Sequence, residues 1–137
     1  MMSKCFFPGS FDPFTFGHKN IIEKVSRISN HIIIGIGQHH EKKSLIDIGT
    51  RVSLLNESMK AINTSDTRIE VIIFEKLLVQ AAKENECNTI IRGIRDTSDL
   101  NYELRMYNTN RRIDPNIETL FLSLIHISEP TILQQIS

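Results

Sequence analysis

The chain has 137 residues, 40% of them hydrophobic, and carries 16 basic against 16 acidic side chains. That is one domain's length with room for a core, and the balanced charge excludes a sequence-independent grip on nucleic acid, which needs a basic surface. No run approaches the roughly 20 apolar residues that cross a membrane, the opening Met1-Met2-Ser3-Lys4-Cys5 lacks the apolar stretch of a signal peptide, and Cys5 and Cys87 belong to no closely spaced pair, so they read as buried free thiols of a cytoplasmic protein rather than as a zinc or redox motif.

Taken in chain order, short β-branched runs alternate with longer amphipathic ones. Lys4 to Phe7 is an apolar run ending at Pro8-Gly9. His18 to Ile28 places Ile21, Ile22, Val25 and Ile28 at helical spacing. Ile32-Ile33-Ile34-Gly35-Ile36 is apolar on both faces, as a strand covered on both sides must be. Asp47 caps a predicted helix with Val52, Leu55, Met59 and Ile62 on one stripe. Ile69 to Phe74 predicts a strand, Leu77 to Lys83 a short helix, and Thr89-Ile90-Ile91 a strand stopped at Arg92-Gly93. Ser98 to Arg112 predicts a helix broken by Asp114-Pro115, and Glu118 to Leu122 a last strand. This order predicts an α/β fold: a Rossmann-like, doubly wound, five-stranded parallel sheet with helices on both faces.

In such sheets ligands bind beyond the carboxyl ends of the strands. After the first predicted strand come Pro8-Gly9-Ser10-Phe11-Asp12-Pro13 and Thr15-Phe16-Gly17-His18. Gly9 permits a close backbone approach, Ser10 offers a hydroxyl and an N–H, and His18 stands at a helix start, where amides point outward toward a phosphate. A turn with a capping histidine is the plainer reading of Gly17-His18 by itself. After the second strand, His39 and His40 lack a third metal ligand of matching spacing and read as a solvated loop, while Lys42 and Lys43 read either as solvated charge or, at the sheet's carboxyl end, as suited to an anionic substrate. After the fourth, Arg92-Gly93-Ile94-Arg95 puts two forked donors on a compact loop, suited to phosphate or simply to solvent. Asp99 and Glu103, four apart on one helix face, read as ribose or base recognition; a paired acid/base site and an exposed acidic face are the alternatives.

The joined strings Pro-Gly-Ser-Phe-Asp-Pro and Thr-x-Gly-His mark the nucleotidyltransferase superfamily with the (His/Thr)-x-Gly-His motif. With Lys42-Lys43, Arg-Gly-Ile-Arg and Asp-Leu-Asn-Tyr-Glu running on to Asn-Arg, the chain resembles the bacterial phosphopantetheine adenylyltransferase family from about Lys4 to Leu122. The resemblance implies transfer of AMP from ATP to 4′-phosphopantetheine, giving dephospho-coenzyme A and pyrophosphate. It also implies Mg²⁺, a cytoplasmic homohexamer, and coenzyme A as a feedback ligand. Residue by residue it implies catalytic roles for His18 and Lys42. Ser10, Lys42, Leu78 and Arg92 would bind phosphopantetheine, with Leu78 acting through its backbone. Ser10, Phe11, His18, Gly93, Ile94, Arg95 and Glu103 would bind ATP. No protein ligand to a metal is implied.

The pattern departs after Leu122. The family continues with a serine-rich Ile-Ser-Ser-Ser motif that opens a helix and grips the ATP phosphates; here only Ile127-Ser128 echoes it. Residues 1–122 are therefore expected to form the nucleotidyltransferase domain and 123–137 an atypical, truncated tail. The alternatives to the family's reaction are another nucleotidyltransferase activity or an inactive nucleotide-binding fragment.

Overall fold

The run Ile32 to Ile36 sets the centre of the fold, because each of its side chains is buried and alternate ones face opposite sides of a sheet. In the computed structural model, which describes residues 4–38, 43–62 and 66–123, this run lies in the second of five strands. These are β1 (Cys5–Gly9), β2 (His31–Gly37), β3 (Arg68–Phe74), β4 (Thr89–Ile94) and β5 (Glu118–Ser123). They alternate with α1 (Phe16–Ser26), α2 (Ile48–Lys60), α3 (Leu78–Glu84) and α4 (Thr97–Ile113). All pairings are parallel and the strand order is β3-β2-β1-β4-β5, as the alternating pattern predicts.

Two apolar layers hold helices to the sheet. On one face Phe7, Ile32, Ile34, Ile36 and Ile91 meet Ile21, Ile22 and Val25 of α1 and Leu55 and Met59 of α2. On the other, Phe6, Ile33 and Ile90 meet Val79, Ala81 and Ala82 of α3, with Cys87 and Ile117. Each fully buried Ile or Phe stabilises the fold by about 1.5–3 kcal/mol relative to its exposed state. Packing is tight at Gly35, where a Cβ would lie 2.5 Å from Phe6 Cζ and 3.1 Å from Phe74 Cδ1. Cys5 and Cys87 are free and buried.

Several boundaries differ from the periodicity. The first helix starts at Phe16 instead of His18, because Thr15 caps it: His18 N–H donates to Thr15 Oγ1, and Thr15 N–H donates to His18 Nδ1. His18 here fills the third-position role that Glu or Gln usually takes in a capping box. β4 does not stop at Arg92-Gly93 but runs on to Ile94, since β5 offers partners all along it: Arg92 faces Phe121, Gly93 faces Leu122 and Ile94 faces Ser123. β5 likewise includes Ser123; the rest of the expected tail, 124–137, lies outside the described residues. α4 begins at Thr97, one residue before the predicted start, capped by Asp96, whose side chain accepts from Asp99 N–H.

The sheet order reverses between β1 and β4. From β1 the chain winds outward to β2 and β3, then returns to place β4 on the other side of β1. At the carboxyl ends of that pair the loops diverge and leave a crevice, which is where an α/β sheet presents its ligand site.

Candidate active site

Two cavities open at this crevice. The larger, about 1010 Å³, is lined by Gly9, Ser10, Asp12, His18, Gly93 and Arg95 among others. The smaller, about 360 Å³, is lined by Phe74, Leu77, Leu78, Met106, Tyr107 and Asn110 among others. Pro8, Gly9, Ser10, Arg92, Tyr102 and Glu103 line both, so one wall separates and joins the two spaces. The larger has a polar rim of donors; the smaller is walled mainly by apolar and aromatic side chains with an amide at Asn110.

The turn after β1 is built around Phe11. Its ring is 1% exposed and stacks edge-on against Phe7 at 5.4 Å and beside His18 at 4.8 Å. Its backbone lies in the left-handed region at φ 49, a conformation that is costly for a bulky L-residue and persists only when its surroundings over-determine it. The side chain that the motif presents is therefore an anchor of the turn, and Phe11 itself lines neither cavity. Ser10, beside it, is exposed on the common wall.

His18 sits among Phe7, Phe11 and Phe14, its ring nearly parallel to that of Phe14 at 5.8 Å. Burial, together with the Arg95 and Arg92 cations, pushes its pKa down to about 4. The ring is neutral near pH 7. Because Nδ1 accepts the Thr15 N–H at 3.0 Å, the remaining proton belongs on Nε2. Among the described residues Nε2 has no hydrogen-bond partner, and His18 lines the larger cavity. The capping box thus fixes a neutral donor at the cleft.

The two arginines of Arg-Gly-Ile-Arg are each matched to a carboxylate of α4. Arg92 Nε donates to Glu103 Oε2 at 2.9 Å and Nη2 to Glu103 Oε1 at 2.8 Å, while Nη1 donates to the Pro8 carbonyl at 2.9 Å. Three of the five guanidinium N–H groups are thereby used and two remain to offer. Arg95 pairs with Asp99, whose Oδ2 also accepts the Arg95 backbone N–H at 3.1 Å. The paired acid/base alternative for Asp99 and Glu103 does not hold, since each carboxylate is committed to its own arginine. Arg92, moreover, projects from a strand and not from the compact loop that the sequence predicts.

The other expected site residues fall as follows. Leu78, at the start of α3, lines the smaller cavity. Gly93 lines the larger one; Ile94 ends β4 and lines neither. Glu103 touches both spaces but turns its carboxylate to Arg92. Lys42 lies outside the described residues, as do His39, His40 and Glu41.

Residues 6–134 match the family model described as cytidylyltransferase-like. A curated relative, the phosphopantetheine adenylyltransferase of Rhizobium rhizogenes (strain K84), is 37% identical over 140 residues, covering 99% of this chain and 84% of its own. That of Vesicomyosocius okutanii is 40% identical over 117 residues, covering 85% of this chain and 72% of its own. The chain belongs to the cytidylyltransferase-like family, among its phosphopantetheine adenylyltransferases. The fold agrees with this membership: the solved structure of Plasmodium falciparum nicotinic acid mononucleotide adenylyltransferase, complexed with NaAD, superposes with a TM-score of 0.61 at 18% identity, over 91% of this chain and 76% of that one.

Members' motifs do not by themselves reveal the supports beneath the site. Asp12 accepts the Leu45 and Ile46 N–H groups, both at 2.7 Å, and so fastens the segment after β2 to the turn after β1. Arg51 bonds the Ser10 carbonyl from behind. The sequence contains an Asp in a turn and an Arg in a helix; only the tertiary arrangement discloses what they hold.

Proposed function

We propose that this chain transfers the adenylyl group of Mg·ATP to 4′-phosphopantetheine, giving dephospho-coenzyme A and pyrophosphate. The observation that carries the reading is the wall common to the two cavities. One space is rimmed by the donors His18 and Arg95, with Asp12 and Asp99 bonded to backbone amides and to Arg95, and the other mainly by apolar and aromatic groups with Lys76 and Asn110; Ser10 and Arg92 face both. A nucleoside triphosphate suits the first, a flexible pantetheine arm the second, and their phosphates would meet at the wall.

The reaction needs no covalent enzyme intermediate. A phosphate oxygen of phosphopantetheine attacks the α-phosphorus of ATP, the bond from that phosphorus to the bridging oxygen breaks, and pyrophosphate leaves in line. The residues then act by holding both reactants and by placing donors where charge grows. His18 offers Nε2–H to an α-phosphoryl oxygen. The two unused N–H groups of Arg92 meet the attacking phosphate, and Glu103 keeps the fork from turning away. Arg95 with Gly93 flanks the triphosphate side, and the backbone at Ser10 supplies a further donor. Phe11 is assigned to ATP, and Lys42 to the acceptor phosphate, on the strength of the motif.

Among the described residues no three His, Cys, Asp or Glu side chains gather to hold a metal ion, and the carboxylates at the cleft are occupied: Asp12 by two amides, Glu103 and Asp99 by arginines. Magnesium is therefore read as entering on the triphosphate, with phosphate oxygens and water as its ligands. Dephospho-coenzyme A and coenzyme A, which join both halves, would fill both cavities at once and act as product and feedback ligand. A homohexamer is the assembly proposed from the family resemblance, and light scattering on the purified chain tests it. The cytoplasm is the proposed compartment; two free, buried cysteines suit a reducing milieu.

Pyrophosphate release from Mg·ATP that requires 4′-phosphopantetheine, and is not evoked by nicotinate mononucleotide, is the experiment that tests this assignment.

A further inference from the structure

Behind the turn after β1 lies a buried cation that the scheme above does not use. Arg51, in the first turn of α2, is 6% exposed. Its Nη1 donates to the Ser10 carbonyl at 2.8 Å and its Nη2 to Ser44 Oγ at 3.1 Å. Its Nε is buried with no partner among the described residues, and none of the ion pairs among them includes it. Asp47, one turn back in the chain, feels its charge without bonding it; a guanidinium taken out of water with no carboxylate in contact is expensive, and an apolar side chain of similar volume serves stability at least as well. Core packing therefore does not account for it.

What it bonds does. The Ser10 carbonyl belongs to the peptide that leads into Phe11, the residue held at φ 49. In a planar trans peptide the C=O and N–H point in opposite directions. With the carbonyl drawn back to Arg51, the Phe11 N–H points away from it, and among the described residues nothing accepts that N–H. The second arm of the fork reaches Ser44, in the same 43–47 segment whose Leu45 and Ile46 amides are held by Asp12. An ammonium could reach one of these acceptors; a planar fork reaches two on separate segments.

We infer that Arg51 is a positioning residue for adenylyl transfer: it fixes the Ser10–Phe11 peptide and with it the place of Ser10 on the wall common to the two cavities, and it ties the 43–47 segment to that turn. The catalytic consequence rests on the proposed function; the structural tie does not. The test uses the full chain with Arg51→Met and Arg51→Lys. Melting temperature, exchange of the Leu45 and Ile46 amides, ATP affinity by calorimetry, and kcat and KM for pyrophosphate release are measured together. In folded Arg51→Met those two amides are expected to exchange faster while the α4 amides do not. ATP affinity should fall, and kcat should fall about 10- to 100-fold, the scale of a misplaced reacting group. Arg51→Lys should recover part of kcat without recovering the amide protection. Wild-type exchange and kinetics in folded Arg51→Met would overturn the inference. So would a loss of activity that merely follows melting temperature and is no smaller in Arg51→Lys. If Arg51→Met does not fold, Ser44→Ala, which removes one acceptor, and Arg51→Lys decide the same comparison. Should the unaltered chain release no pyrophosphate, the functional reading fails, and amide exchange with ATP affinity still judges Arg51.

Discussion

Glu103 takes both ends of the Arg92 fork, accepting from Nε at 2.9 Å and from Nη2 at 2.8 Å, while the third bond of Arg92 goes to the Pro8 carbonyl. The pair bridges α4 and β4 at the wall between the two cavities. An acidic residue thus serves an anion site by aiming the cation that binds the anion. Glu103→Ala leaves a part-buried guanidinium without its partner. The expected cost is about 2–4 kcal/mol, below the full range for buried pairs because Arg92 keeps some solvent contact. Glu103→Gln, which keeps one acceptor, should cost less. Urea midpoints give the stability, and kcat/KM for phosphopantetheine should fall about 10- to 100-fold in Glu103→Ala through loss of orientation.

His18 is expected to titrate with a midpoint near 4 in the ligand-free protein, against an ordinary value of 6.5, followed by the ring C2 proton resonance. The sign of its effect on stability follows. The folded-state pKa is depressed, so the contribution is fully present above pH 6.5. It declines as pH falls toward 4, because the unfolded ring takes up a proton that the folded ring refuses. His18→Asn, lacking this titration, should lose less stability than the unaltered chain between pH 7 and pH 4.5.

Removing the His18 donor should act on the rate before it acts on binding. His18→Ala is expected to lower kcat by about 10²–10³, the usual loss for one donor aimed at a developing charge. KM for ATP should change less. A fall in KM-linked binding alone, with kcat intact, would reassign the ring to ground-state contact.

Gly35 tests the packing that holds β1 and β2 in place. Phe6 is fully buried and packs edge-on against Phe74 at 5.5 Å, so its ring has nowhere to retreat from a Cβ at 2.5 Å. Gly35→Ala should destabilise the chain by about 1–3 kcal/mol. Phe74 also lines the smaller cavity, so the variant should weaken phosphopantetheine affinity more than ATP affinity.

Much of the fold is legible in local pattern. Ile32 to Ile36 announces a doubly covered strand, and Ile21, Ile22 and Val25 announce the buried face of α1, because both signals are periodic along the chain. The turn carrying Ser10 and His18 is legible for the same local reason. What is not legible depends on partners distant in sequence. Arg92-Gly93 looks like a stop after Ile91, yet it extends the strand because Phe121 and Leu122 pair with it. Asp99 and Glu103 look like a carboxylate pair until their arginines are seen. Arg51 belongs to no motif, and the motif that contains Asp12 does not show what that carboxylate holds; their bonds to Ser10, Ser44, Leu45 and Ile46 exist only once α2 is seated on the sheet.

The most direct test of the proposed activity is pyrophosphate release by the purified chain from Mg·ATP, with and without 4′-phosphopantetheine. Release that depends on 4′-phosphopantetheine, with dephospho-coenzyme A formed in equal amount, is the predicted result. A folded chain that binds ATP yet releases no pyrophosphate with that acceptor would contradict the account.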